Sequence, residues 1–182
     1  VSAYGLSKLA AEEGLKTIKE LPWLILRPTG IYGPGDKAYL AMAKLVKSGL
    51  APTLGLTPQR LSFLYVEDLV ELCWLALTSA VSGKTWLVAH PAIVEDKDYI
   101  DLLQDLLDKH RVLKVRIPLS LAKGVAALGE GLGRLSGKPG LINQDKYRLM
   151  GARNWFCDIT SLPSAVGERR HAGLRVGGIL TQ

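Results

Sequence analysis

The sequence YGLSK, residues 4–8, opens a segment that has the composition and spacing of an α-helix. Good helix formers continue to residue 20, so we expect a helix over residues 4–20. Positions four apart share one face of a helix, which places Tyr4 beside Lys8. Five small or apolar residues form a stripe that we expect to be buried: Leu6, Leu9, Ala10, Gly14 and Ile18.

The pairing of Tyr4 with Lys8 predicts acid–base chemistry. A phenol ordinarily has a pKa of about 10, and a nearby fixed positive charge favours its ionised form. The ammonium of Lys8 is therefore expected to lower the pKa of Tyr4 and to make it a general acid or base. The alternative is an ordinary tyrosine and lysine on a helix surface, so the following sequence has to decide between the two.

A short apolar run and a turn-rich segment follow this helix. Residues 23–27, WLILR, have the continuous apolar character of a strand buried in a parallel sheet. The proline and glycine residues of the next segment, RPTGIYGPGD at 27–36, predict a loop across the carboxyl end of that strand. Open α/β sheets bind their ligands at this edge.

The rest of the chain continues the alternation of helices and strands. The segment LSFLYVEDL, residues 61–69, reads as a strand that leads into a helix, with Asp68 near the helix start, where an acidic side chain suits the helix dipole. We expect His90 to be a structural histidine. Further helices are predicted at 37–49, 96–110, 121–135 and 145–150, strands at 85–89, 112–117 and 154–158, and an irregular segment at 50–60.

Three motifs, YGLSK, RPTGIYGP and LSFLYVEDL, together resemble the extended short-chain dehydrogenase/reductase family, also called the NAD-dependent epimerase/dehydratase family. In that family the Tyr-x-x-x-Lys pair is the catalytic signature and lies near mid-chain, so the resemblance covers residues 1–182 as a C-terminal part. It implies an α/β fold: the last strands and helices of a Rossmann-like parallel sheet, interleaved with a small α+β substrate-binding lobe. The lobe is expected mainly at 37–60 and 91–182.

The resemblance also implies the roles of individual residues. Tyr4 and Lys8 would be catalytic and would contact the cofactor, which is NAD or NADP. The tail from Asp158 to Leu174 resembles the closing helix and turn of the family. The other implied cofactor contacts are Pro28, Thr29, Gly30 and Ile31, and the implied substrate contacts are Thr29, Tyr32 and Arg60.

The position of Arg60 bears on the substrate. Sugar-nucleotide members of the family place a diphosphate-binding arginine where this chain has Leu61, so Arg60 is shifted by one residue. A solvated arginine or one in the substrate lobe is the alternative. Thr29 and the shifted arginine favour the subgroup that resembles hydroxysteroid dehydrogenases and ketone reductases.

The glycine-rich loop that binds a dinucleotide pyrophosphate at a helix N-terminus does not occur in this sequence. We therefore expect a fragment of an NAD(P)-dependent oxidoreductase or epimerase. By itself this fragment should have no useful affinity for the dinucleotide and no turnover. The alternative is a non-catalytic binding or assembly module with the same fold. In either case the family resemblance implies a homodimer through the first helix.

Composition narrows the classes of protein. A chain of 182 residues with 48% hydrophobic residues can bury a core, and its net charge of +6 is scattered, which argues against nucleic-acid binding. Cys73 and Cys157 are expected to be reduced core thiols, with no metal site. No apolar run reaches the roughly 20 residues of a membrane span. We expect a cytoplasmic protein with a small-molecule substrate.

Overall fold

A computed structural model describes residues 2–124, 127 and 154–160. Helices and strands alternate along most of this part of the chain. Its elements are α1 (Ala3–Lys16), β1 (Leu24–Pro28), β2 (Gly30–Tyr32), α2 (Lys37–Lys47), β3 (Leu50–Leu54), β4 (Arg60–Tyr65), α3 (Val66–Thr78), β5 (Lys84–Val88), β6 (Ile93–Glu95), α4 (Asp96–Leu106) and β7 (Leu113–Ile117).

The strand pairs are mostly parallel. β1 pairs with β5, β2 with β4, and β3 with β7, each in parallel, and only the β4–β6 pair is antiparallel. A helix lies in the chain between the partners of every parallel pair, because parallel strands need a crossover connection. The predicted α/β class with parallel sheets is confirmed.

Helix α1 begins where the sequence predicts but ends earlier. The Ser2 hydroxyl caps it by accepting a hydrogen bond from the Gly5 N–H at 3.1 Å, and the last helical residue is Lys16 rather than Glu20. No residue of α1 is buried, and Leu6 is 55% exposed. The prediction of a buried stripe on this helix is wrong, because a helical period gives an apolar face but burial requires a partner element.

Two segments that the sequence predicts as irregular contain strands. Residues 30–32 form β2 inside the predicted loop, and residues 50–54 form β3 inside the predicted excursion. Their partners lie far along the chain, since β2 pairs with β4 and β3 pairs with β7. The local sequence, rich in proline and glycine, gives no sign of these distant pairings.

A cluster of aromatic rings forms the centre of the larger core. Phe63 on β4 is 4% exposed, and its ring centroid lies 6.1 Å from that of Tyr32, 5.5 Å from that of Tyr39 and 5.3 Å from that of Tyr99. These rings come from β2, α2 and α4, so a single side chain joins four elements. The edge-to-face and tilted arrangements are those that aromatic pairs favour.

A second core lies on the other side of β4. Successive side chains of a strand point to opposite faces, so Leu64 packs away from Phe63. Leu64 contacts Leu72 of α3 and the β5 residues Trp86 and Val88. Helix α3 begins at Val66 with Glu67 and Asp68 in its first turn, as the sequence predicts for Asp68.

Several single-residue predictions have mixed outcomes. Cys73 is exposed on α3, so it is not a core thiol, whereas Cys157 is partly buried and burial raises the pKa of its thiol. His90 Nδ1 accepts a hydrogen bond from the Ala92 N–H at 3.1 Å, as expected of a structural histidine. Its Nε2 is buried without a partner among the described residues.

Some predicted elements fall largely or wholly outside the described residues. These are the helices at 121–135 and 145–150 and the closing tail beyond residue 160. The predicted strand at 154–158 is reduced to one bridge, between Trp155 and Leu61. Within the described part of the chain, no helix has both the length and the apolar character needed to cross a membrane.

We predict that Phe63→Ala lowers the free energy of unfolding by about 3–5 kcal/mol, because it removes a fully packed ring that four elements share. Urea denaturation followed by circular dichroism measures this loss. The matched control is Phe156→Ala, since Phe156 is 41% exposed. An equal loss for both variants would show that Phe63 does not organise the core.

Candidate active site

Tyr4 and Lys8 lie side by side on α1, as the spacing predicts. The Lys8 ammonium is 5.5 Å from the centroid of the Tyr4 ring, and Tyr4 is 65% exposed. Tyr4 lies in the first turn of the helix, two residues after the Ser2 cap. Both reactive groups are therefore accessible to a ligand and fixed on one regular element.

A cavity of about 640 Å³ lies between α1 and the end of β1. We call it the Tyr4 cavity. Five residues that the sequence predicts as site residues meet here, namely Tyr4, Lys8, Pro28, Thr29 and Ile31. The other described residues that line it are Gly5, Leu9, Glu12, Leu26 and Arg27.

Three predicted site residues lie elsewhere. Tyr32 points to the opposite side of β2 from Ile31, because side chains alternate along a strand, and it is buried in the aromatic cluster. Gly30 lines a second cavity on that side. The Arg60 guanidinium lies 4.9 Å from the centroid of the Phe156 ring. The Tyr4 cavity is thus built without these three residues.

Thr29 is held by the end of β5. Its N–H donates a hydrogen bond to the Val88 carbonyl at 2.9 Å, and its hydroxyl lies 3.4 Å from the same oxygen. The contact fixes the turn between β1 and β2 at the carboxyl end of the parallel pair. Thr29 and Ile31 are thereby directed towards Tyr4.

An ion pair that the sequence analysis missed forms one wall of the Tyr4 cavity. Arg27 Nε donates to Glu12 Oε1 at 2.8 Å, and Arg27 Nη2 donates to Glu12 Oε2 at 2.5 Å. These hydrogen bonds lower the pKa of Glu12. The pair ties α1 to β1. The sequence pattern that could have identified Glu12 as a site residue is its spacing. Tyr4, Lys8 and Glu12 follow at four-residue intervals, which puts all three on one helix face.

A second cavity, of about 430 Å³, lies on the Gly30 side of β2. We call it the Gly30 cavity. Burial raises the pKa of Tyr39 to about 12 and also raises the pKa of Tyr99. The described residues that line this cavity are Gly30, Ala38, Tyr39, Met42, Pro52, Thr53, Leu54, Gln59, Leu61, Ser62, Phe63, Asp96, Tyr99, Ile100 and Trp155.

The segment that carries Tyr4 and Lys8 is similar to a known family. Residues 1–89 match the model of the NAD dependent epimerase/dehydratase family. Over these residues the chain is similar to members of that family. The family match includes the whole Tyr4 cavity.

Two curated relatives differ in what their names describe. The chain is 30% identical over 112 residues to a UDP-glucose 4-epimerase of Vibrio cholerae, covering 58% of this chain and 34% of that protein. It is 28% identical over 186 aligned residues to a ceramide reductase of Caulobacter vibrioides, covering 96% of this chain and 54% of that protein. The chain thus spans about a third of the length of the first relative and about half of that of the second.

Solved structures share the fold. A UDP-glucuronic acid 4-epimerase from Bacillus cereus, in complex with UDP-glucuronic acid and NAD, superposes with a TM-score of 0.60 and 18% identity. The match covers 97% of this chain and 49% of that chain. These neighbours confirm a Rossmann-like α/β architecture for the chain, and their structures contain NAD.

We predict that Gly30→Ala destabilises the protein by about 1–3 kcal/mol, because a Cβ at this position would overlap the Tyr39 hydroxyl. The Tyr39 ring carbon that bears the hydroxyl is 3.5 Å away, so Gly30→Ala should be nearly neutral in a Tyr39→Phe background. A double-mutant cycle by urea denaturation measures the coupling. Equal losses in both backgrounds would contradict this contact.

We predict that the contribution of the Glu12–Arg27 pair to stability is lost in acid. The pKa of Glu12 is lower in the folded protein, so the contribution is complete above the unfolded pKa of about 4.3 and disappears as the pH falls through the folded value. Melting temperatures of the wild type and Glu12→Gln should differ at pH 7 and converge in acid. Glu13→Gln is the matched control, and a difference that persists in acid would contradict the prediction.

Proposed function

We propose that this chain carries the Tyr/Lys catalytic pair of an NAD(P)-dependent oxidoreductase or epimerase that acts on a hydroxyl or carbonyl group. The supporting observation is that Tyr4 and Lys8 open into one cavity together with Thr29 and the end of β1. The curated relatives are named an epimerase and a reductase, so they offer both reaction types.

The residues of the Tyr4 cavity suit a bound nicotinamide nucleotide. The cavity falls in the usual size range of small-molecule sites, and an ammonium, a phenol and a threonine hydroxyl supply polar groups for ribose hydroxyls and a substrate oxygen. The residues that would hold the nicotinamide side are Lys8, Pro28, Thr29 and Ile31. Gly5 has no side chain, so a ligand in the cavity can approach the backbone of α1 closely at this position.

Each residue then has a defined task. The Tyr4 phenol gives a proton to a substrate carbonyl oxygen or takes one from a hydroxyl. The Lys8 ammonium, 5.5 Å from the Tyr4 ring centroid, holds ribose hydroxyls and favours the ionised phenol. The bound nicotinamide supplies or accepts the hydride. Thr29 and Ile31 form the wall that positions the ring.

We assign residues 37–60 and 91–182 to a substrate lobe. Tyr32 is buried in the aromatic cluster and Arg60 lies against Phe156, so neither is kept as a substrate contact. Because the sequence has no glycine-rich pyrophosphate loop, we expect the 182-residue chain alone to bind NAD weakly and to show no turnover.

A second candidate function is a non-catalytic assembly module, which the exposed face of α1 favours. Leu6 is 55% exposed and Leu9 is 45% exposed, so this helix offers apolar side chains to a second copy of the chain. In this case the Tyr4 hydroxyl would have no task. The same face would form the homodimer contact of an enzyme.

We predict that Tyr4→Phe lowers turnover about 10²- to 10⁴-fold and leaves the Kd for NAD unchanged, because only proton transfer is lost. Alkan-2-ol oxidation and UDP-glucose epimerisation are measured on the polypeptide as the cell makes it, with its intact mass determined first. Ser7→Ala, an exposed hydroxyl deletion on the same helix, is the control. Unchanged turnover would contradict the role of Tyr4 in proton transfer, and an unchanged biological effect would favour the assembly module.

A further inference from the structure

We propose that the substrate carries an apolar, uncharged group and that this group occupies the Gly30 cavity. The substrate class is a ketone or secondary alcohol with a hydrocarbon portion, as opposed to a sugar joined to a nucleoside diphosphate. This inference rests on the proposed function, since it takes the reacting oxygen to lie at Tyr4.

The charges of the described residues that line the Gly30 cavity do not suit a diphosphate. No lysine or arginine is among its described lining residues. The one charged lining residue is Asp96, which is buried and engages Arg116 at 3.4 and 3.5 Å. A diphosphate would meet this carboxylate and lack the charge-assisted donors that phosphates require.

The apolar lining of the Gly30 cavity matches a hydrocarbon. Leu54, Leu61, Met42 and Ile100 contribute aliphatic surface, and Phe63 contributes an aromatic ring. A cavity of about 430 Å³ has the size of an ordinary small-molecule site, and apolar surface is the usual basis of affinity in such sites.

One polar group in this lining has no partner. Tyr99 is 7% exposed, and its hydroxyl makes no hydrogen bond within the described residues. Leaving such a group unpaired costs free energy, which a ligand oxygen would recover. The cavity therefore suits a mostly apolar ligand that has a single oxygen atom near Tyr99.

The two cavities lie on opposite faces of one strand. Gly30 lines the second cavity, while its neighbours Thr29 and Ile31 line the Tyr4 cavity. In the described sheet β2 pairs only with β4, so its other edge is unpaired. A substrate that joins the two cavities would cross this edge beside Gly30, where the Tyr39 hydroxyl occupies the place of a side chain.

The test is calorimetric titration of the 182-residue chain with alkan-2-ones of increasing length and with UDP-glucose. Burial of each added methylene should lower the Kd about fourfold until the cavity is filled. UDP-glucose should bind more weakly than the longest ketones. An affinity that does not depend on chain length, or tighter binding of UDP-glucose, would overturn the inference.

A matched pair of variants locates the binding site. Leu54→Arg puts a charge into the Gly30 cavity, whereas Leu56→Arg makes the same change two residues away at a side chain that is 70% exposed. Leu54→Arg should abolish the dependence on chain length, and Leu56→Arg should keep it. If Leu54→Arg does not fold by circular dichroism, Leu54→Trp fills the cavity without a charge and should bind only the shortest ketones. If a folded Leu54→Arg or Leu54→Trp variant keeps the full dependence of the Kd on ketone chain length, the inference is overturned.

Failure of this inference and failure of the proposed function are distinguishable, because ketone binding does not require proton transfer. Tyr4→Phe should bind the alkan-2-ones as the wild type does. Loss of turnover in Tyr4→Phe with no ketone binding by the wild type would leave the catalytic pair in place and reject the apolar substrate. Ketone binding by the wild type together with unchanged turnover in Tyr4→Phe would support the apolar substrate and reject the catalytic role of Tyr4.

Discussion

The packing of Phe63 against Tyr32, Tyr39 and Tyr99 is the constraint on which the rest of the structure depends. It holds the three-residue strand β2 in register with β4, and a strand this short has little else to fix its register. The register decides which side chains of β2 face α1. A shift by one residue would turn Ile31 away from Tyr4 and bring Gly30 towards it.

The position of α1 depends on a different interaction. This helix has no buried residue, so hydrophobic packing does not define its place on β1. The bidentate Glu12–Arg27 pair joins the two elements and forms a wall of the same cavity that Tyr4 and Lys8 line. An exposed ion pair contributes little free energy, so the position of α1 on β1 is only weakly fixed.

The two faces of β2 divide the site by chemistry. Among the described lining residues, the Tyr4 cavity has Lys8, Glu12 and Arg27, whereas the Gly30 cavity is mostly apolar and has Asp96 as its one charged residue. This division is the basis for proposing a substrate that has one reactive oxygen and an apolar body.

The sequence by itself determined the local features: the pairing of Tyr4 with Lys8, a strand predicted at 23–27 and found at 24–28, a helix predicted at 37–49 and found at 37–47, and the family whose model residues 1–89 match. Helix period, caps and apolar runs are short-range signals, so they can be read without a fold. Only the tertiary structure decided that β2 and β3 are strands, that Glu12 meets Arg27, and that Gly30 faces away from Tyr4. Each of these depends on contacts between distant segments, and side-chain burial depends on which partner covers a face.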